Sequence, residues 1–135
     1  MLTLSEAKRI IERAIVKARE FDVSISVAVC DVGGQLIALN RMDGAFWDVD
    51  RGCIGKAIAA AVIGQPSEEL PERLMASGIY QAVSSKMVSP LGRRGGLPII
   101  QGGILEGACG VSGAHTNEQD KECAHAGIAA LNAAN

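Results

Sequence analysis

Large aromatic rings are scarce in this chain: one tryptophan, one tyrosine and two phenylalanines make up 3% of its 135 residues. A core with so few rings packs by close approach of backbones, and the sixteen glycines and twenty alanines, together about a quarter of the chain, allow that. Such a core leaves apolar surface that subunit contact commonly covers, so a homo-oligomer is expected. No apolar run approaches the roughly 18 residues that span a bilayer, and no membrane partner is expected. The start, Met1-Leu2-Thr3-Leu4-Ser5-Glu6, has neither a basic region nor an apolar stretch of the secretory kind. A net charge of −2 and an isoelectric point near 5.7 give no reason to expect nucleic acid or an acidic membrane surface as partner. What is present, 48% hydrophobic and 21% charged residues, suffices to bury a core. These figures predict one cytoplasmic domain over residues 1–135.

Metal and disulfide patterns are missing too. Cys30, Cys53, Cys109 and Cys123 form no C-x-x-C pair, and neither histidine completes a zinc-type spacing. All four lie in apolar stretches and read as buried thiols of a reducing compartment. Gly52-Cys53-Ile54-Gly55-Lys56-Ala57 lacks the phosphate-loop spacing, and Ala57 replaces the hydroxyl that would hold magnesium.

Hydrophobic spacing predicts an amphipathic helix over 3–20, through Leu4, Ala7, Ile11, Ala14, Ile15 and Ala18, opened by a Thr3/Glu6 capping box. A hairpin follows. Ser24–Cys30 alternates, with Ile25, Val27 and Val29 on one face; Gly33-Gly34 makes a two-residue turn, and 35–41 returns. In the returning strand Ile37 and Leu39 oppose Leu36 and Ala38, so both faces are apolar and the strand is expected to be central or covered on both sides. Asp48 caps a helix to about Ile63 that is apolar nearly all round, hence buried or at a subunit interface, with close approach at Gly52 and Gly55. Shorter helical segments are expected from Glu68 to about Ala82, then a loop over 87–101. Short strands near 98–101 and 106–112 precede a last helix capped by Thr116 or Asn117, with Ala124, Ile128 and Leu131 inward. The order α-β-β-α-α-β-β-α has too few crossover units for a parallel sheet and fits an antiparallel sheet with helices packed on it.

Three features bear on chemistry. Lys56 is the only cation inside the apolar helix; it either snorkels to the surface or points into a ligand pocket. Gly92-Arg93-Arg94-Gly95-Gly96-Leu97-Pro98 reads as a backbone concavity for an anion, or as a solvated loop. His115 sits where a strand gives way to a helix, whereas His125 lies mid-helix, off the inward stripe. With the Arg41–Ala45 turn, which the family resemblance described next adds, these are expected to frame a pocket between Arg41–Ala45, Lys56, Gly92–Pro98 and Gly113–His115 that prefers a carboxylate. In it Arg41 is the carboxylate clamp and Asp43 orients that arginine or accepts a ligand hydroxyl. Gly95 and Gly96 offer backbone donors. If the protein is an enzyme, His115 is the acid/base, Glu106 the fallback base and Lys56 the stabiliser of negative charge.

Taken in order, Val29-Cys30-Asp31-Val32-Gly33-Gly34-Gln35-Leu36, Arg41-Met42-Asp43-Gly44-Ala45, Lys56-Ala57, Gly95-Gly96-Leu97-Pro98-Ile99 and Gly110-Val111-Ser112-Gly113 resemble the GlcG/HbpS family, which includes the C-terminal domain of PduO-type corrinoid adenosyltransferases. The resemblance implies an α/β (α+β) domain whose five-stranded antiparallel sheet lies between helices, assembled into dimers or into rings such as octamers. It also implies a pocket near Arg41–Ala45 and the Gly95–Ile99 block, which places Pro98 and Gly113 among the ligand-binding residues. Family members include haem binders, accessory proteins of catabolic operons, and a lineage described as a lyase of hydroxylamino-benzoates. The haem histidine of the PduO-type members lies on the first helix; here residues 1–114 contain no histidine, and that helix offers Lys17 and Arg19. Three readings follow: a binding protein for a small anionic, aromatic metabolite; a cofactor-independent lyase or isomerase of a hydroxylamino-aromatic acid; and a haem or corrinoid binder. The first two need no cofactor and no metal.

Overall fold

The structure, a computed structural model, describes residues 1–46, 49–71 and 92–133. Helix α1 (Leu4–Glu20) leads into strands β1 (Ser26–Asp31) and β2 (Leu36–Arg41); α2 (Val49–Ile63) and a single 3-10 turn (Ser67–Glu69) follow. Strands β3 (Gly96–Gln101) and β4 (Ile104–Ser112) then form a second hairpin, and α3 (Asn117–Ala133) ends the described chain. All pairings are antiparallel and the strand order is β2-β1-β4-β3. Among the described residues the sheet has four strands, one fewer than the resemblance implied.

Helices cover both faces of the sheet. On one side α1 and α3 pack Ile10, Ile11 and Leu131 against Val27, Val29 and Val111 of the strands and against Ile25 just before β1. On the other, α2 contributes Cys53, Ala57, Ala60 and Ala61, which meet Ala28, Cys30 and Ala108. The fully buried members of that second layer are all alanine or cysteine, with half-buried Leu39 and Ile54 against them, so the helix lies close on the sheet without rings to fill a gap. An all-round apolar α2 follows from its place between the sheet and the 3-10 turn.

Local signals explain the ends. Thr3 Oγ1 accepts from the Glu6 amide at 3.0 Å while Glu6 Oε1 accepts from the Thr3 amide at 2.9 Å, the capping box expected for α1. At α3 the cap is Thr116, whose hydroxyl accepts from the Gln119 amide at 3.1 Å. Gly102 and Gly103, with φ of 58° and 78°, make the two-residue turn of the β3–β4 hairpin, since mirror-image turns need positive φ at both positions.

Three expectations change. The β1–β2 connection is not a two-residue turn but the loop Val32–Gln35, in which Asp31 Oδ1 accepts from the Gly33 and Gln35 amides at 2.9 and 3.0 Å. Strand β2 is an edge strand rather than a central one, though side chains on both its faces meet the core. The register explains the unusual facing: Val29 pairs with Ala38 but Cys30 with Leu36, so Ile37 is the extra residue of a bulge. Ile37 therefore sides with Ala38 toward α1, Leu39 packs toward α2, and Leu36 stays 50% exposed. The helical segments expected beyond Pro71, the first part of the 87–101 loop and the Asp48 cap lie outside the described residues.

Candidate functional site

At one end of the sheet β1 and β3 begin while β2 and β4 finish, and the segments singled out in the sequence gather there. Ser26 pairs with Arg41 on one side and with Ser112 on the other. Gly113 packs against Ser24, its α-carbon so close that a Cβ would lie 2.6 Å from the Ser24 carbonyl, and Gly44 approaches the Ser24 hydroxyl. Arg41 is exposed and donates from Nη2 to the Ala45 carbonyl at 2.7 Å, which folds the Arg41–Ala45 turn back on itself. The Gly95 carbonyl accepts from the Val111 amide at 2.9 Å, bringing the glycine loop to the same end.

Lys56 does not snorkel to the surface; its ammonium is bonded inside the fold. It is 3% exposed, and its ammonium donates to Asp120 Oδ2 at 2.8 Å and to the Val111 carbonyl at 2.9 Å. Asp120 Oδ1 in turn accepts from the Ala114 amide at 2.9 Å, so one buried pair joins α2, the end of β4 and α3. Burial raises the Asp120 carboxyl above its ordinary value, and the Lys56 charge offsets part of that rise. Sequence reading missed Asp120; its signal was an acid one turn into a helix that follows a strand end.

The glycine loop also serves structure first. A Cβ on Gly95 would fall 2.9 Å from Lys56 Nζ, so the glycine makes room for the buried lysine. The Gly96 amide, expected to await a ligand, donates to Ser67 Oγ at 2.9 Å, and that hydroxyl donates to the Arg93 carbonyl. Arg94 bonds Glu118 at 3.1 Å and lies 3.5 Å from Glu68, which Lys121 contacts at 2.6 Å. Partial burial pushes the Glu68 carboxyl up, but its bond from Lys121 and the neighbouring charges outweigh that and hold it below the usual carboxylate range. Pro98 sits inside β3 opposite Ala108, away from the strand start. Glu106 is at the other end of the sheet, bound to the Met1 amino group at 3.1 Å and to Gln101 at 3.0 Å, so it cannot share a site with His115.

What faces solvent is a depression of about 610 Å³ beside edge strand β2, lined by Ile15, Arg19, Leu39, Asn40, Arg41, Met42 and Asp43. Two guanidiniums and one carboxylate stand there with three apolar side chains. Arg19, from the last turn of α1, is the member that sequence reading left out of the site. His115 is exposed, with its amide donating to Gln119 Oε1 at 3.1 Å. His125, also exposed, opens on a separate depression of about 420 Å³ with Lys17, Glu118, Lys121, Glu122 and Ala126. Five of those six side chains are polar or charged and none is phenylalanine, tyrosine or tryptophan, so they do not fit the apolar faces of a haem.

Comparison with known proteins gives the family and the fold. A family model described as haem degrading protein HbpS-like matches residues 2–129. Protein GlcG of Escherichia coli (strain K12) is 34% identical over 112 residues, covering 83% of this chain and 81% of GlcG. The crystal structure of a double mutant of Streptomyces reticuli HbpS is 30% identical with a TM-score of 0.81, over 96% of this chain and 86% of that one. A crystal structure of a PduOC–haem complex is 25% identical with a TM-score of 0.79, over 97% and 95% of the two chains.

Proposed function

The chain belongs to the HbpS-like family, and from that premise we propose that it is a small-molecule binding protein whose ligand is an anionic, aromatic metabolite. The observation that carries this reading is the depression beside β2, where Arg19 and Arg41 stand next to Ile15, Leu39 and Met42. Guanidiniums clamp a carboxylate through paired N–H donors, and the apolar trio covers the flat body of the acid. Asp43 accepts from a ligand hydroxyl or amine, or orients Arg41. The proposal includes a role in catabolism of such an acid, in the cytoplasm, where buried thiols stay reduced. The test is titration with benzoate, using benzyl alcohol as the uncharged control. Arg41→Ala and Arg19→Ala are each expected to weaken benzoate by about 10- to 100-fold with the fold intact. Equal binding of benzoate and benzyl alcohol would refute the carboxylate assignment.

His115 favours a second reading, a lyase or isomerase of a hydroxylamino-aromatic acid that needs no cofactor. Its imidazole is exposed at the same sheet end, and imidazole is the side chain most used for general acid–base catalysis. Under this reading His115→Ala abolishes turnover of 4-hydroxylaminobenzoate and leaves its binding unchanged. In a haem-binding reading the His125 depression is not the site: His125→Ala is expected to leave any Soret change on adding haem unaltered.

A further inference from the structure

We propose that Ser26 and Ser112, in one cross-strand row with Arg41, form an oxyanion subsite that takes the carboxylate of the ligand. This inference rests on the binding reading above and deepens it. Strand alternation puts Ser26 on the face of Ala28 and Cys30, the face that α2 covers. The register sets Ser112 directly opposite Ser26 on β4 and Arg41 directly opposite it on β2. Ser26 is 0% exposed, and its hydroxyl has no hydrogen-bond partner among the described residues. A buried hydroxyl without a partner is a cost that folded proteins rarely carry. Replacing Ser26 by alanine would remove the cost at once, so the hydroxyl invites a function.

Its surroundings point to an anion. Helix α2 starts over this row: a Cβ on Gly52 would fall 2.6 Å from Ser112 Oγ, so the first turn lies against that hydroxyl. The opening turn of a helix carries amides without intrahelical partners and a partial positive charge. Two hydroxyls of directly opposed residues, about 5 Å apart at Cβ, can both donate to one oxygen placed between them. The second oxygen of a carboxylate then meets the Arg41 guanidinium, which exchanges its bond to the neutral Ala45 carbonyl for a charge-assisted one. The ligand class is therefore a small carboxylic acid seated head-first on the α2 side of the sheet, its body passing around the end of β2 at Arg41 toward the depression, whose Ile15 and Arg19 come from α1 on the other side.

Two measurements on the intact chain test this, with benzoate as the probe and Arg41→Ala as the reference. In thermal unfolding without benzoate, Ser26→Ala is expected to melt at the wild-type temperature or above it, because no internal bond is lost. In titration, Ser26→Ala and Ser112→Ala are each expected to weaken benzoate about 10-fold while benzyl alcohol is unaffected. A lower melting temperature for Ser26→Ala means the hydroxyl has an internal partner and overturns the subsite. Unchanged benzoate affinity in both serine variants, with Arg41→Ala still weakened, overturns the subsite and leaves the binding reading standing. A water that stays on Ser26 Oγ in a benzoate-bound crystal structure overturns it as well. Wild-type protein that binds no benzoate refutes both.

Discussion

Lys56 and Asp120 set the energetics at the scale of single residues. Each is 3% exposed, and stripping both of water costs more than their attraction returns unless every remaining polar atom is bonded. Here Val111 and Ala114 supply those bonds. Lys56→Met leaves a buried carboxyl without its cation and is expected to cost about 3–5 kcal/mol. The sign of its pH dependence follows from burial, which raises Asp120 and raises it further once Lys56 is gone. A carboxyl whose folded value lies above its unfolded one gains stability as pH falls through the folded value. The loss in Lys56→Met should therefore be smaller at mildly acidic than at neutral pH, while that in Asp120→Asn, which has no such proton to take, should not shrink. Denaturant unfolding at both pH values checks this. The double variant Lys56→Met/Asp120→Leu is expected to recover most of the loss, since a packed apolar pair needs no compensation.

Among the elements, those built from local signals were legible before any coordinates. The α1 capping box, the apolar stripe of α1 and the alternation of β1 depend on neighbours within a turn or a pleat. Carboxylates at such ends also carry an acid dependence. Glu6 sits below its ordinary value of 4.5, chiefly because the Thr3 amide donates to it, and Glu68 sits below the same value beside Lys121. Lowered carboxyls contribute stability that is complete above the unfolded value and is lost as pH falls through the folded one. Glu6→Gln and Glu68→Gln should each flatten the decline of melting temperature below pH 4.5. Other features were not legible because they depend on register. That Lys56 meets Asp120, 64 residues away, or that Glu106 lands at the far end of the sheet, follows only from how β4 pairs with β1 and β3. The site was half legible for the same reason. Arg41 and Asp43 line the depression, but Arg19 arrives from α1 and Ser26 from a buried strand face. No spacing along the chain links them. The glycines at 95 and 96 looked like ligand donors because the lysine and the serine they accommodate come from other elements.

For the molecule as a whole, small residues in the core have a consequence for the cysteines. All four are buried, and loss of water pushes the thiols of Cys30 and Cys123 up to about 12 and that of Cys109 higher still. Thiolate is the reactive form, so Ellman's reagent at neutral pH should find essentially no thiol in the native protein and all four after denaturation. The same thin core leaves apolar side chains outside. Leu36 is 50% exposed, Ile100 51%, Ile104 65% and Phe46 76%. Among the described residues neither edge strand has an outer neighbour, but the two edges are not equivalent. Pro98 lies in β3, and a residue without an N–H suits an edge that does not add a strand. Edge strand β2 contains no proline and presents half-exposed Leu36, so self-association is expected through β2. A stable contact needs roughly 800 Å² from each partner, which would also cover part of the depression lined by Leu39 and Arg41. Ligand and association are then coupled, because whatever fills the depression in the assembled form favours assembly. Light scattering at micromolar concentration should return a multiple of the 14.0 kDa chain mass. Leu36→Lys should lower that mass, and benzoate should partly restore it. A wild-type protein that stays a stable 14.0 kDa monomer would show that β2 is an ordinary exposed edge.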